Sequence, residues 1–252
     1  MKKIIFGDHI SKTFGEGQEK HIVLKDVSVE INEGEFVAIM GPSGSGKSTL
    51  MYALSGMDSI DAGTVFFEGM DLSALSEQTL AELRRTKMGF VFQQPTLLKN
   101  LNILDNIILP AMRNNKTSVD NIKKKAHALM EKVGISALEK RDITQVSGGQ
   151  LQRAGICRAL ISNPQILFGD EPTGALNSKS AQDIMDILTE INAQGTAVLL
   201  VTHDPQIAAR TNRVLFMRDG EIVNDLHFNR FNDTNIDSKI DKLMVEMRKI
   251  GI

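Results

Sequence analysis

The sequence predicts an α/β fold with a mainly parallel sheet, an antiparallel β-subdomain and an inserted helical subdomain. Three observations favour this class. A short apolar run at 35–40 leads through a glycine-rich loop into a segment with helical spacing. Apolar strands alternate with an amphipathic helix between 166 and 202, which is typical of parallel sheets. Between 101 and 160, apolar residues recur at helical spacing, which indicates a helical block within the chain.

The glycine-rich loop predicts a phosphate-binding site. It reads Gly41-Pro42-Ser43-Gly44-Ser45-Gly46-Lys47-Ser48-Thr49 and lies between the predicted strand and helix, as the motif requires. Its glycines allow main-chain N–H groups to surround an anionic phosphate, and the helix N-terminus adds its positive dipole. We expect Lys47 to reach the β- and γ-phosphates of a nucleotide and Ser48 to supply a hydroxyl ligand to Mg²⁺. A chance Gly/Ser loop is the alternative, which both flanking elements argue against.

The composition bounds the class of protein. With 252 residues, 42% of them hydrophobic and 24% charged, the chain can form one large globular domain with a subdomain. A balance of 29 basic against 31 acidic residues argues against nucleic acid as the main partner. The single cysteine, Cys157, cannot form an internal disulfide and favours a reducing compartment. No stretch approaches the roughly 20 apolar residues that span a bilayer. We therefore expect a soluble, cytosolic protein whose membrane role requires a partner.

The first 32 residues predict part of a β-rich subdomain. The runs at 23–24 and 27–31 are typical of strands in a hairpin-like sheet, and Gly15 and Gly17 mark a turn before them. Phe14 precedes this turn. From the residues alone, a core aromatic is the favoured interpretation of Phe14.

The segment from 63 to 93 continues the α/β pattern. A strand is predicted at 63–69, a helix at 76–87 with Ser76 as its N-cap, and a strand at 88–92 that ends before Gln93. Open α/β sheets place ligand groups at the carboxyl ends of buried strands. A glutamine in a surface turn is an equally good interpretation of Gln93 at this point.

The helical block predicts two helices and a second glycine-rich turn. The helices cover 104–112 and 118–133, and Gly134 is typical of a C-terminal stop. A Ser-Gly-Gly run at 147–149 then opens a third helix, which continues to 161. The bare main chain of this run suits an anion, although Ser-Gly-Gly alone is usually only a helix cap.

An apolar strand at 166–169 ends in two adjacent carboxylates, Asp170 and Glu171. Downstream of a phosphate loop, the first is suited to hold Mg²⁺, usually through water, and the second to orient and polarise an attacking water. An acidic surface turn is the alternative. After one further helix, a strand at 197–202 ends before His203, at the predicted edge of the same sheet. A lone histidine is more often structural, but this position favours a catalytic role.

The C-terminal region predicts a hairpin and a tail. Strands at 213–218 and 221–224 are joined by Asp219-Gly220, which is a strong hairpin-turn signal. The tail at 228–252 predicts one short amphipathic helix that packs on the core or on a partner. Its apolar stripe comprises Ile236, Ile240, Leu243, Met247 and Ile250.

Taken together, these motifs resemble the ATP-binding-cassette family across nearly the whole chain, to about residue 225. The resemblance rests on GPSGSGKST at 41, Gln93, VSGGQ at 146, ILFGDEP at 166 and His203. It implies a P-loop NTPase core, with a nucleotide-binding domain at 1–227 and a helical subdomain at about 95–160. It also implies ATP and Mg²⁺ as cofactors and ATP hydrolysis as the activity.

The resemblance further implies that two copies of the chain pair head to tail, so that ATP lies between the Lys47 loop of one copy and the Ser-Gly-Gly run of the other. It assigns adenine stacking to Phe14, Mg²⁺ sensing and permease coupling to Gln93, and contact with the γ-phosphate to His203. The implied residues are catalytic Glu171, His203 and Gln93; nucleotide-binding Phe14, Gly41, Ser43, Gly44, Ser45, Gly46, Lys47, Ser48, Thr49, Ser147, Gly148, Gly149 and Gln150; and metal-binding Ser48, Gln93 and Asp170.

One departure from the family pattern follows the two carboxylates. Gly174-Ala175-Leu176-Asn177 replaces the more usual Ser-Ala-Leu-Asp, so Asn177 keeps an acceptor oxygen but lacks the charge. This variant resembles the exporter branch that serves macrolide, bacitracin-type peptide and lipoprotein-release systems. We therefore expect a motor at the cytoplasmic face of the membrane, bound through a separate permease. Export of, or resistance to, cell-envelope-active peptides is the favoured function.

Three other functions fit the same residues. Lipoprotein release and mechanical control of envelope enzymes are the nearest alternatives. A soluble cassette ATPase is a distant one, because translation factors of this family carry two cassettes and repair ATPases insert a long coiled coil. The permease-coupling surface is expected at the helical subdomain and the Gln93 loop, where Pro95, Leu97 and Leu98 are apolar with no evident core to enter.

Overall fold

The structure, a computed structural model, describes residues 2–15, 17–113, 118–228 and 236–251. Within these residues, ten strands form two sheets, and eight α-helices flank the sheets or form a separate block. The strands are β1 (Lys3–Phe14), β2 (His21–Asn32), β3 (Phe36–Met40), β4 (Ala62–Phe67), β5 (Met70–Asp71), β6 (Met88–Phe92), β7 (Ile166–Asp170), β8 (Ala197–Val201), β9 (Arg213–Arg218) and β10 (Glu221–His227). The helices are α1 (Lys47–Leu54), α2 (Glu77–Lys87), α3 (Ile103–Met112), α4 (Val119–Lys132), α5 (Gly148–Leu160), α6 (Ser178–Ala193), α7 (Pro205–Ala208) and α8 (Ile236–Lys249).

The larger sheet positions the predicted site. Its strand order is β10-β9-β3-β8-β7-β6, and all neighbouring pairs are parallel except β9 with β10. β3, β7 and β8 are apolar and almost fully buried, as expected of strands covered on both faces. Because parallel strands run in one direction, the segments after β3, β6, β7 and β8 leave the sheet at the same edge. The predicted α/β class is confirmed.

The smaller sheet is antiparallel, with strand order β2-β1-β4-β5. The prediction of two short strands before residue 32 is wrong, because both runs belong to the continuous strand β2. A bulge lies between them: Leu24 pairs with Lys12 and Val27 with Ile10, and Asp26 has a φ of 54°. The extra residue shifts the side-chain alternation, so Leu24 and Val27 are both buried despite their odd spacing.

α3, α4 and α5 form a helical subdomain with a hydrophobic core of its own. The predicted helices at 104–112 and 118–133 are confirmed to within one residue at each end. Gly134 has a φ of 72°, which favours glycine, and it follows α4 as predicted. The prediction that Leu97 has no core to enter is wrong, because this side chain is 8% exposed and packs among the three helices. Leu98 is 46% exposed, as predicted.

The C-terminal hairpin and helix complete the core beside β3. Asp219 and Gly220 have φ values of 51° and 85°, so they form the predicted two-residue turn between β9 and β10. Leu243 and Met247 of α8 are buried against β3 and β9, which confirms that the tail helix packs on the core. Nowhere in the described ranges is a helix both long enough and apolar enough to cross a membrane.

Candidate nucleotide-binding site

The loop between β3 and α1 has the backbone geometry of a phosphate cradle. Gly44 and Gly46 have φ values of 79° and 97°, in the left-handed region that glycine adopts without strain. A Cβ atom at Gly46 would lie 2.7 Å from the carbonyl oxygen of Val23, so a side chain there would push β2 away. Glycine at this position therefore allows the loop to lie close to β2, and residues of both segments line a cavity.

That cavity has a volume of about 760 Å³ and opens at the edge of the larger sheet where β7 and β8 end. Its walls are Phe14, His21, Val23, Gly41, Pro42, Ser43, Gly44, Gly46, Lys47, Ser48, Thr49, Glu171 and His203. Ser45 is the predicted loop residue that the cavity wall omits. It is buried beneath the loop, and its hydroxyl has no hydrogen-bond partner in the described part of the chain.

Phe14 lies in the wall of this cavity at the end of β1. Its side chain is 44% exposed, so the interpretation of Phe14 as a core aromatic is wrong. The ammonium group of Lys12 lies 5.1 Å from the centroid of its ring. An exposed aromatic face beside a phosphate cradle is suited to stack on a planar base.

Lys47 brings a positive charge to the cavity. Its Nζ donates hydrogen bonds to the carbonyl oxygens of Gly41 at 2.9 Å and Pro42 at 2.7 Å. Burial lowers the pKa of Lys47, and the carboxylates of Glu171 and Asp170 act in the opposite direction. Since neutral carbonyls hold the ammonium group, it can exchange them for phosphate oxygens, which form stronger charge-assisted bonds.

Asp170, at the end of β7, faces α1. Its Oδ1 accepts a hydrogen bond from Ser48 Oγ at 2.8 Å, and its Oδ2 accepts one from Tyr52 Oη at 2.6 Å. Burial and the bond to Asp170 raise the pKa of Tyr52, which keeps the phenol protonated as a donor.

The oxygens of Ser48 and Asp170 fit the predicted Mg²⁺ site. Mg²⁺ prefers oxygen ligands and needs only one or two from the protein, since phosphates and water supply the rest. An all-protein metal cage would need more: no cluster of three His, Cys, Asp or Glu side chains suited to a metal occurs among the described residues. The adjacent hydroxyl and carboxylate, beside the phosphate cradle, match a Mg²⁺ site with one or two protein ligands.

Glu171 and His203 meet at the wall of the same cavity. Nδ1 of His203 lies 3.1 Å from Oε1 of Glu171. Glu171 has a φ of 45°, which is uncommon for a residue with a side chain, and its N–H donates to the carbonyl of Val201 at 3.0 Å. The turn after β7 is therefore bonded to the end of β8, which brings the predicted acid and histidine together.

Gln93 follows β6 at this edge of the sheet. A Cβ atom at Gly174 would lie 2.9 Å from Gln93 Nε2 and 3.2 Å from Glu171 Oε2, so both side chains approach the same glycine. Gln93 is exposed, but it lies beside the predicted catalytic acid. This position favours the interpretation as a ligand group over that of an isolated surface turn.

The second glycine-rich segment begins α5 and lies apart from this cavity. Ser147 Oγ accepts from the N–H of Gln150 at 3.4 Å, and Gln150 Oε1 accepts from the N–H of Ser147 at 2.8 Å, which is a reciprocal capping box. A Cβ atom at Gly149 would lie 3.3 Å from Ser180 Oγ. None of residues 147–150 is among the described residues that line the cavity. Within one chain, the two glycine segments therefore do not share a cavity.

Comparison with known protein families matches residues 24–174 to the family described as ABC transporter. This match covers more than half of the chain, including the phosphate loop, the second glycine-rich segment at 147–149 and the two carboxylates. The chain belongs to the ABC transporter family. Within the family it is an ATPase cassette, which confirms the predicted enzyme class.

The curated relatives of this ABC cassette include macrolide export ATP-binding/permease proteins named MacB. The protein from Mannheimia succiniciproducens is 41% identical over 216 residues, which cover 86% of this chain and 33% of the relative. The protein from Chromobacterium violaceum is 44% identical over 218 residues, which cover 86% of this chain and 34% of the relative. The chain thus spans about a third of the length of the curated relatives it matches. The similarity fits the macrolide-type exporter branch.

Solved structures similar to this ABC cassette are cassettes themselves. One is described as a dimeric ATP-binding cassette in a post-hydrolysis state bound to ADP and Pi; its TM-score is 0.83 at 36% identity, covering 90% of this chain and 100% of that chain. Another, described as a nucleotide-free ATP-binding cassette from an ABC transporter, has a TM-score of 0.81 at 28% identity and covers 99% of both chains. These matches confirm the predicted fold class.

The departure at Asn177 leaves the helix cap of this ABC cassette intact. Oδ1 of Asn177 accepts a hydrogen bond from the N–H of Ser180 at 2.9 Å and caps α6. Asn and Asp are about equally good N-caps, because both present an acceptor oxygen to the free N–H groups of the first turn. The missing charge therefore leaves the local structure of this loop in place.

Sequence analysis did not identify Gln152, which connects the site to the helical subdomain. This side chain is 1% exposed, and its Nε2 donates to the carbonyl oxygens of Phe92 at 2.9 Å and Pro172 at 2.7 Å. One amide group thus joins the residue before Gln93 to the residue after Glu171. Gln152 lies on the face of α5 that packs on β6, so its burial was in principle predictable. Without the tertiary contacts, however, a glutamine in an amphipathic helix does not stand out from the other polar residues.

Proposed function

We propose that this chain is the ATP-binding and hydrolysing subunit that powers a separate permease, at the cytoplasmic face of the membrane, in an exporter of cell-envelope-active peptides. The observation that carries the ATPase part is the convergence of Lys47, Asp170, Glu171 and His203 at one edge of the larger sheet. The adjoining cavity of about 760 Å³ lies within the size range of nucleotide and cofactor pockets.

Nucleotide binding uses the two ends of this cavity. At one end the exposed ring of Phe14 stacks on the adenine base, and at the other the N–H groups of the loop surround the phosphates. Lys47 leaves the carbonyls of Gly41 and Pro42 and donates to the β- and γ-phosphates instead.

Ser48 and Asp170 hold Mg²⁺ in this proposal. Their side-chain oxygens are 2.8 Å apart, so they would serve as two neighbouring oxygen ligands if the hydroxyl offered its lone pair to the ion instead of donating to the carboxylate. Gln93, beside Glu171, supplies a third oxygen from the end of β6. When bound, the ion neutralises charge on the β- and γ-phosphates.

Glu171 is the proton acceptor for the attacking water. Its carboxylate lies in the cavity wall within 3.1 Å of the His203 ring, which orients it and leaves the histidine beside the place of the γ-phosphate. The bond from the N–H of Glu171 to Val201 fixes the main chain on which the carboxylate depends. Positioning of this kind carries most of the catalysis in phosphoryl transfer.

A second copy of the chain completes the site head to tail. Residues 147–149 present bare main chain at the start of α5, which is suited to an anion, but they lie outside the cavity of their own chain. A partner copy can bring this segment to the γ-phosphate. The dimeric state described for a similar solved cassette supports this arrangement.

The permease docks in a cleft between α2, β6 and the helical subdomain. This cleft has a volume of about 300 Å³ and an apolar floor that includes Phe90 and Phe92, whose ring centroids are 6.3 Å apart. Arg158 lines it and donates to the carbonyl and hydroxyl oxygens of Thr96 at 2.6 and 2.9 Å. Burial lowers the pKa of Arg158, and no carboxylate within 4.0 Å of its guanidinium is seen in the described ranges. An apolar segment that carries a carboxylate complements such a cleft.

This cleft suits coupling because it touches the Gln93 loop. Thr96 lies three residues after Gln93, so a segment that engages Arg158 pulls on the loop beside Glu171. We therefore assign the coupling surface, expected at the helical subdomain and the Gln93 loop, to this cleft. Leu97 is excluded from it, because that side chain is buried in the subdomain core.

Bacitracin-type peptides are the proposed cargo, and lipoprotein release is the second candidate. Deleting the gene in its host should sensitise cells to a panel of such peptides, and a copy carrying Glu171→Gln should fail to restore resistance. Unchanged peptide sensitivity with mislocalised lipoproteins would favour the second candidate, and macrolide sensitivity alone would assign the substrate named for the relatives. Loss of envelope-enzyme control with none of these changes would favour mechanical regulation.

A further inference from the structure

The hydroxyl of Tyr52 donates a hydrogen bond to the second carboxylate oxygen of Asp170. Ser48 and Tyr52 are four residues apart on α1, so they lie on the same face of the helix. One donates to Oδ1 of Asp170 at 2.8 Å and the other to Oδ2 at 2.6 Å. The carboxylate is therefore held between two O–H donors from a single helix.

We propose that Tyr52 is a positioning residue for Mg²⁺, which it serves by fixing the orientation of the Asp170 carboxylate. This inference rests on the proposed function, in which Ser48 and Asp170 hold the ion. When the Ser48 hydroxyl turns to the ion, Oδ1 loses its bond from Ser48. The bond from Tyr52 to Oδ2 is not needed by the ion and can persist, so it holds the carboxylate in both states.

The surroundings of Tyr52 make it a firm anchor. Its ring packs against the core between the two sheets. Its carbonyl oxygen accepts from Ser55 Oγ at 3.0 Å and from the N–H groups of Met57 and Asp58 at 2.9 and 3.2 Å. The ring and the main chain of Tyr52 are thus both held in place. The hydroxyl therefore has a fixed position, and its bond to Asp170 limits the movement of that carboxylate.

Tyr52 is also separated from the nucleotide itself. It is not among the described residues that line the cavity of about 760 Å³. Loss of its hydroxyl should therefore change binding of the ion and leave binding of the metal-free nucleotide unchanged. A purely structural role for the ring predicts no change in ion binding when only the hydroxyl is removed.

The test is Tyr52→Phe in the full chain, which keeps the ring and removes the hydroxyl. Fluorescence of a MANT-labelled ATP gives the nucleotide affinity in EDTA and then the Mg²⁺ concentration that produces half of the Mg²⁺-dependent change. We expect equal affinity in EDTA and a roughly tenfold higher Mg²⁺ requirement, as is typical when a partner of a metal ligand is lost. An equal or lower Mg²⁺ requirement in Tyr52→Phe would overturn the inference.

Two further variants separate positioning from packing. Thr211→Val removes a buried hydroxyl that donates to the carbonyl oxygens of Ala208 and Arg213 rather than to Asp170, and it should leave the Mg²⁺ requirement at the wild-type value. In an Asp170→Ala background, which removes the acceptor, Tyr52→Phe should add no further change, because the two residues act through one bond. An additional tenfold effect in that background would contradict the inference. Wild-type protein without any Mg²⁺-dependent signal would instead contradict the proposed function itself.

Discussion

Asn177 caps α6 by accepting a hydrogen bond from the N–H of Ser180 at 2.9 Å, immediately after the loop that carries Glu171 and Gly174. Asn177, which departs from the family pattern, therefore supplies the side-chain oxygen that caps the helix. This contact gives Asn177 a structural role that does not require the negative charge of the aspartate usual at this position.

We expect Asn177→Ala to lower the free energy of unfolding by about 1 kcal/mol, because an N–H of the first turn loses its acceptor. Asn177→Asp should stay within about 0.5 kcal/mol of wild type, since it keeps the oxygen. Urea unfolding followed by circular dichroism measures both values. Lys179→Ala, an exposed change in the same turn, is the control. A loss of stability in Asn177→Asp as large as that in Asn177→Ala would contradict the capping role.

Arg158 should contribute to permease binding and leave nucleotide binding unchanged. In Arg158→Gln the side chain keeps a polar N–H donor but has no charge to offer a carboxylate. We expect less permease to co-purify from membranes, with nucleotide affinity at the wild-type value. Lys140→Gln, a change at an exposed cation of the helical subdomain, should have no effect on either measurement. Full retention of the permease by Arg158→Gln would exclude the cleft as a charge-dependent docking site.

The head-to-tail arrangement predicts complementation between two inactive variants. Lys47→Ala removes the phosphate contact of one copy, and Ser147→Arg blocks the second glycine segment of the other. Each should be inactive alone, and their mixture should regain ATPase activity because one site per mixed dimer is intact. Mixing Lys47→Ala with Glu171→Gln is the control, since both changes affect the same half of the site and no intact site forms. No recovery in the first mixture, or equal recovery in both, would contradict the arrangement.

Local signals predicted the parts of this fold that depend on neighbouring residues. The strand, glycine loop and helix around Lys47 were predicted correctly because left-handed glycines and a buried apolar run occur together there. The Asp219-Gly220 turn and the stop at Gly134 followed from the same backbone preference. The carboxyl ends of β7 and β8 carry Glu171 and His203 side by side because a parallel sheet has one such edge.

Contacts between distant residues were not predictable. Whether Phe14 is buried depends on what covers the end of β1, and the chain leaves it open to the cavity. Leu97 enters a core that exists only once three helices have packed together. Tyr52 acts through a bond to a residue 118 positions away in the sequence. Gln152 acts through bonds to residues 60 and 20 positions away. Neither residue belongs to a motif.

The central claim is that Glu171 removes the proton from the attacking water, and Glu171→Gln tests it most directly. The amide keeps the shape of the side chain but cannot accept that proton, so turnover of ATP should fall roughly 10²- to 10⁴-fold. ATP affinity should stay at the wild-type value, and an ATP-bound dimer should accumulate on size-exclusion chromatography. Glu221→Gln, at an exposed carboxylate that begins β10, should behave as wild type. Near-normal ATP hydrolysis by Glu171→Gln would contradict the claim.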